Sequence, residues 1–214
     1  MSVLTRRIVK LGELRWIDGI NALKHGYFRL KARLWYSHVF GGIGKGSVIF
    51  KPCFLSNVHY AYLGERVLIR SGARIELVVQ ESCMTPRLSI GSDVNIEQNV
   101  HIVCGSSIEI QDRVTITGGC AIVDVEHPFE DIENPVRIGM RLRMQGNRVV
   151  IGAGSFIGFN SIILPNVVIG CHSVIGSHSV VTHNVPDYCV VAGNPARVIR
   201  RYSLETQSWE RCTS

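Results

Sequence analysis

The 214-residue chain has no C-x-x-C pair and an odd number of cysteines, seven, scattered from Cys53 to Cys212. Disulfide frameworks and thiolate zinc sites need paired or regularly spaced cysteines, so this usage fits reduced thiols and argues against both. No apolar run approaches 18 residues, so no membrane-spanning helix is expected. The N-terminus lacks an uninterrupted apolar stretch before a small-residue cleavage site, so no secretory signal is expected and a cytoplasmic location is. Charged residues are only 19% and apolar ones 46%, a balance that suits one globular domain with a sizeable core rather than a disordered chain. Net charge is absent from most of the chain. The total of +6 resides in residues 1–41, where Arg6, Arg7, Lys10, Arg15, Lys24, Arg29, Lys31 and Arg33 face only Glu13 and Asp18.

What the sequence has instead is a period of six. Residues 151–186 read IGAGSF IGFNSI ILPNVV IGCHSV IGSHSV VTHNVP. The first position is Ile151, Ile157, Ile163, Ile169, Ile175 and Val181; the fifth is small or β-branched throughout, from Ser155 to Val185. A helix repeats every 3.6 residues and a strand every two, so six suits neither as a long element. It suits a solenoid of very short strands with a corner after each six residues. The same register recurs as Ile110/Ile116/Ile122, Ile90/Ile96/Ile102, Leu63/Ile69/Ile75 and Ile43/Ile49/Leu55. Three sixes per coil predict a triangular prism of six coils, each about 4.8 Å above the last. Gly after the aliphatic residue is expected to let the backbone bend. Cys120 occupies a fifth position as a small apolar filler.

Outside the register lie three stretches. Residues 1–41 carry Val3, Leu4, Ile8, Leu11, Ile17, Ile20 and Leu23 at roughly helical spacing, with Trp16, Trp35 and Tyr36. They predict a basic amphipathic helical segment that caps the solenoid or lies on a membrane surface; a nucleic-acid partner fits less well. Residues 127–148 form a long irregular loop, a feature that is usually functional or disordered. Residues 202–214 read as a polar C-terminal tail.

His127 ends coil four, precedes Pro128 and opens that loop. Its unperturbed pKa near neutrality suits a general base. Asp124 and Glu126 are both candidates to orient its ring.

The stretch IVDVEHPFED, a loop, then VVIGAGSFIGFNSIILPNVVIG resembles the galactoside, maltose and nodulation-factor O-acetyltransferases and related xenobiotic acetyltransferases, within the hexapeptide-repeat acyltransferases. The resemblance covers residues 43–201. It implies a left-handed parallel β-helix, the hand coming from the resemblance alone. It also implies a homotrimer that uses acetyl-CoA, without a metal, to acetylate a sugar hydroxyl in bacterial polysaccharide or lipopolysaccharide synthesis. The matching His-Pro pair implies that His127 is the base. Phe156 stands where the family often has Trp, and Glu97 and Asn99 align with acceptor-facing positions. Phe159, Ser177, Thr182, His183, Arg197 and Arg200 match the positions along the cofactor, and AGNPARVIR at 192–200 matches the closing signature. Two fork-shaped guanidinium groups suit phosphate. Alternatives are an N-acetyltransferase of a nucleotide-linked amino sugar, an antibiotic acetyltransferase and a non-catalytic scaffold. His178 and His183 raise a zinc enzyme on the same solenoid, the γ-class carbonic anhydrases, whose ligand spacing is not reproduced here.

Overall fold

Strands of two to four residues, each turned by a short corner, wind the chain into a three-sided prism. The computed structural model describes residues 16–80 and 85–212. Coil one is β1 (Gly42–Ile43), β2 (Val48–Ile49) and β3 (Phe54–Ser56); coil two is β4 (Ala61–Leu63), β5 (Leu68–Ile69) and β6 (Arg74–Leu77). Coil three is β7 (Arg87–Ile90), β8 (Asn95–Ile96) and β9 (His101–Cys104); coil four is β10 (Ser107–Ile110), β11 (Thr115–Ile116) and β12 (Ala121–Val123). Coil five is β13 (Arg148–Ile151), β14 (Phe156–Ile157) and β15 (Ile162–Ile163); coil six is β16 (Val168–Ile169), β17 (Val174–Ile175) and β18 (Val180–Val181).

Every expected stack forms. Ile43, Leu63, Ile90, Ile110, Ile151 and Ile169 pair in parallel register down the first face. Ile49, Ile69, Ile96, Ile116, Ile157 and Ile175 do so down the second. Leu55, Ile75, Ile102, Ile122, Ile163 and Val181 do so down the third. Almost all of these side chains are fully buried in one continuous core. Each contributes about 1.5–3 kcal/mol relative to exposure, so the ladder of aliphatics is the main support of the fold.

The fifth-position serines are buried as expected, and their hydroxyls are satisfied. Ser155 and Ser161 donate to the carbonyls of Gly170 and Gly176, each at 2.8 Å, one coil on. The glycines after the aliphatic residue serve close stacking, not backbone bending. A Cβ on Gly158 would sit 2.6 Å from the Ile175 carbonyl oxygen and the Ser177 nitrogen. The left-handed turn falls two residues later, at the fourth position, where Gly154, Asn160, Asn166, His172 and His178 all take positive φ. Asn and Gly tolerate that region best. Asn99 belongs to the same set of corners.

The two ends are closed differently. Helix α1 (Trp16–Leu34) and the 3-10 turn after it lay Phe28, Ala32, Tyr36 and Phe40 on coil one. The Phe28 and Phe50 rings lie 4.8 Å apart, and His25 meets Phe50 edge-on at 4.9 Å. One face of α1 is therefore a cap. Val3, Leu4, Ile8 and Leu11 lie outside the described residues. At the other end β19 (Cys189–Gly193) adds to β17 in parallel, then β20 (Ala196–Ser203) and β21 (Ser208–Arg211) follow antiparallel. Through residue 211 the expected tail is thus the outer strand of a hairpin that covers the exposed edge of the second face, with Trp209 against Tyr202 at 5.5 Å. Apart from Trp209 its residues are polar, and all four are exposed, so they give no alternating pattern to read.

Candidate active site

The long loop leaves the prism after β12 and returns into β13 on the next coil, so its two ends meet at one corner. An antiparallel bridge pinches it there: Glu126 N donates to Arg143 O at 3.0 Å and Arg143 N to Glu126 O at 2.9 Å. Asn147 donates through Nδ2 to the carbonyls of Asp124 at 2.8 Å and Arg143 at 3.2 Å. Inside the loop the Arg141 guanidinium donates to three carbonyls, those of Val136, Asp131 and Asn134, at 2.7–2.8 Å. Arg141 is therefore a pin for the loop, not a free cation.

His127 stands just outside the pinch. Its Nδ1 lies 3.0 Å from the Arg141 carbonyl oxygen. A carbonyl only accepts, so Nδ1 carries the hydrogen and Nε2 is left with its lone pair. This arrangement corrects the expected orienting carboxylates. Asp124 is fully buried and accepts from the backbone N–H groups of Gly105, Ser106 and Ser107, locking the preceding corner. Burial pushes its carboxyl up from the ordinary range, against the pull of those three donors. Glu126 faces Arg143 at 3.5 Å and Asn166 at 3.5 Å. Neither is hydrogen-bonded to the His127 ring.

Two cavities meet at His127. One, about 410 Å³, runs toward the C-terminal coils and is lined by Pro128, Phe129, Leu164, Pro165 and Thr182. The other, about 500 Å³, runs toward coils two and three and is lined by Arg74, Glu76, His101, Val103 and Leu142. Arg74, ion-paired with Glu76, stacks its guanidinium 5.0 Å from the Phe54 ring centre. Burial, and secondarily the charge of Arg74, hold His101 below the usual imidazole range, and its Nε2 is buried without a hydrogen-bond partner. Sequence reasoning misses Arg74, Glu76 and His101. The signal is there: they occupy outward positions of strands whose inward partners set the register, and Arg74 pairs directly with His101.

Four of the expected cofactor residues fall on two edges of the third face, and Arg197 and Arg200 lie on β20, which extends the sheet of the second face. Thr182 lines the cavity beside His127, and its hydroxyl lies 2.7 Å from His183 Nδ1. His183 and Arg197 line an adjoining cavity of about 290 Å³. Phe159 and Ser177 sit on the opposite edge, where Phe159 meets the His178 ring at 5.8 Å. Arg200 lies on β20, and neither it nor Arg197 has a carboxylate partner among the described residues. Of the expected acceptor residues, none lines either cavity beside His127. Glu97, ion-paired with Arg70 at 2.9 Å, and Asn99 lie at the corner between the second and third faces; Phe156 projects from the second face. Among the described residues no three His, Cys, Asp or Glu side chains gather where they could hold a metal ion.

Residues 148–183 match the family described as bacterial transferase hexapeptide (six repeats). WbbJ of Escherichia coli (strain K12), by name a putative lipopolysaccharide biosynthesis O-acetyl transferase, is 28% identical over 190 residues, covering 87% of this chain and 93% of WbbJ. Protein CapG of Staphylococcus aureus is 54% identical over 100 residues, 44% of this chain and 52% of CapG. Among solved structures, AntD, an N-acyltransferase from Bacillus cereus in complex with dTDP and 3-hydroxybutyryl-CoA, superposes with a TM-score of 0.66 at 24% identity, covering 80% of this chain and 88% of AntD. A hexapeptide-repeat acetyltransferase of Vibrio cholerae complexed with acetyl coenzyme A gives a TM-score of 0.56 at 21% identity, covering 90% and 92%. A register that stacks coil on coil through the whole prism, matched over its last two coils by a transferase hexapeptide-repeat model and superposing on a hexapeptide-repeat acetyltransferase, gives this chain the fold of a left-handed parallel β-helix.

Proposed function

We propose that the protein is an acetyl-CoA-dependent O-acetyltransferase of bacterial polysaccharide or lipopolysaccharide synthesis, with His127 as general base. The observation that carries this reading is the anchored Nδ1 of His127, which leaves the Nε2 lone pair free where two cavities meet. The full-length similarity to a relative named for O-acetyl transfer supports a hydroxyl acceptor.

Acetyl-CoA supplies the acetyl group as an activated thioester. Leu164, Pro165 and Thr182 offer a partly apolar wall for its arm, and Arg197 and Arg200 offer guanidinium groups not engaged by carboxylates for its phosphates. The sugar hydroxyl enters from the side of Arg74, Glu76 and His101. Nε2 of His127 takes the hydroxyl proton as the oxygen bonds to the acetyl carbon. The C–S bond then breaks, and Nε2 returns the proton to the departing sulfur. No covalent enzyme intermediate forms.

The active unit in this reading is a trimer. Phe156, Glu97 and Asn99 are turned away from His127 within one chain, and four of the cofactor residues are split between two edges of a face. A neighbouring copy brings such edges together into one groove. An active monomer by light scattering would rule this out.

Mass spectrometry of the surface glycan from cells with and without the protein tests the function. The expected result is loss of an alkali-labile acetyl ester. Loss of an alkali-stable acetamide instead would establish the amino-sugar reading, and acetyl-CoA binding without any transferred acetyl group would establish a scaffold.

A further inference from the structure

Helix α1 has two apolar faces, and the prism covers only one. His25, Phe28 and Ala32 turn toward coil one. On the opposite side Trp16, Ile20, Leu23, Tyr27, Leu30 and Leu34 follow steps of 4, 3, 4, 3 and 4 residues and form one straight stripe. All six are exposed, Trp16 at 78% and Leu23 at 76%. A cap does not need this second stripe, and a contiguous exposed apolar ridge marks an interaction surface.

The residues flanking the stripe identify that partner. In coiled-coil terms the positions beside the seam are Ile17, Lys24 and Lys31 on one side and Gly19, Gly26 and Arg33 on the other. Every charge among them is positive. Two copies of α1 paired along the stripe, in either direction, would set like charges against one another, so the seam is built against self-pairing. An anionic surface fits. Lys24, Lys31 and Arg33 border a ridge that carries Trp16 and Tyr27, side chains with an apolar body and a polar tip suited to the boundary between lipid headgroups and acyl chains. Asp18 is the one acidic residue of α1. No described helix is long and apolar enough to cross a membrane, so the contact would be peripheral.

We infer that the exposed stripe of α1 is a docking surface for an anionic lipid bilayer, on which the helix lies flat and holds the coil-one end of the prism toward the membrane. This surface does not depend on the transferase chemistry. It would set the enzyme beside acceptors carried on lipid.

The test uses the full-length protein in co-sedimentation with vesicles of phosphatidylcholine alone and of phosphatidylcholine with phosphatidylglycerol. Wild type is expected to pellet with the anionic vesicles at low salt and to release at high salt. The variant Leu23→Glu/Leu30→Glu, altered only on the exposed stripe, should bind at least tenfold more weakly. Lys24→Glu/Arg33→Glu should lose the preference for anionic lipid. Circular dichroism and light scattering of the variants should match wild type. No pelleting of wild type, equal binding to neutral vesicles, or undiminished binding by Leu23→Glu/Leu30→Glu would each overturn the inference. So would a smaller oligomer for that variant without lipid, which would assign the stripe to a second copy of the chain. Acetyl-CoA affinity measured on the same proteins reports on the transferase reading separately, so either can fail alone.

Discussion

The prism wall and the loop that leaves it are held by opposite means. In the wall an inward aliphatic meets its copy one coil away, and the buried polar groups are fifth-position serines bonded coil to coil together with Asp124, which holds three corner N–H groups. In the loop Phe129, Ile132, Val136, Ile138 and Met140 are exposed, Met144 alone of its large apolar side chains is fully buried, and most of the order comes from main-chain carbonyls gathered by Arg141, Asn147 and the Glu126–Arg143 bridge. Apolar stacking is non-directional and tolerant, so it suits a wall that only has to stand. Hydrogen bonds fix direction, so they suit a segment that must aim one imidazole nitrogen. Damage to the wall should therefore appear as lost stability, and damage to the loop as lost turnover.

The largest expected effect is on His127. His127→Ala should lower kcat by about two to four orders of magnitude while leaving acetyl-CoA affinity and the unfolding midpoint near wild type. Activity within a few-fold of wild type would remove the base assignment. Next comes the wall. Ile116→Ala opens a cavity at a fully buried position and should cost about 2–5 kcal/mol in urea unfolding, with the folded fraction retaining turnover. Asp124→Ala strips the acceptor from three backbone donors and should cost about 3 kcal/mol by the same measurement; a near-neutral result would show that water replaces the carboxylate. Arg141→Ala sharpens the comparison, since it sits in the loop yet touches no cavity beside His127. It should lower kcat about tenfold or more at nearly unchanged stability, because the carbonyl that holds His127 Nδ1 belongs to this residue and loses its frame. The smallest effect is at the far end. Arg197→Ala and Arg200→Ala should each raise the acetyl-CoA KM several-fold with less change in kcat, and unchanged affinity by calorimetry in both would refute their role.

Most of the wall is legible in the sequence, because one residue type at one interval is all that a stack of coils demands. Ile110 can be matched with Ile151 across the whole loop on register alone. The left-handed fourth position is not legible, since Gly, Asn, Asp, His and Arg all occupy it and share no side-chain property. The anchor of His127 is not legible either. It is a main-chain carbonyl 14 residues away, and any residue supplies a carbonyl, whereas the carboxylates of Asp124 and Glu126 stand out by their chemistry and their nearness in sequence. Thr182, matched from related sequences, lines the cavity beside His127, whereas Phe156, Glu97 and Asn99 line neither cavity there, because they project from the second face and its corner.

The pinch at Glu126 and Arg143 also bears on how the chain folds and how it could change. Stacked partners are 18 residues apart between coils five and six, Ile151 to Ile169, and 41 apart between coils four and five, Ile110 to Ile151. Closure entropy grows only with the logarithm of length, so a little more than doubling the span costs about 0.6–0.8 kcal/mol. The excursion that carries the histidine is thus nearly free in thermodynamic terms. Residues 128–142 can be lengthened, shortened or exchanged for another acceptor shape while the register on either side stays as it is.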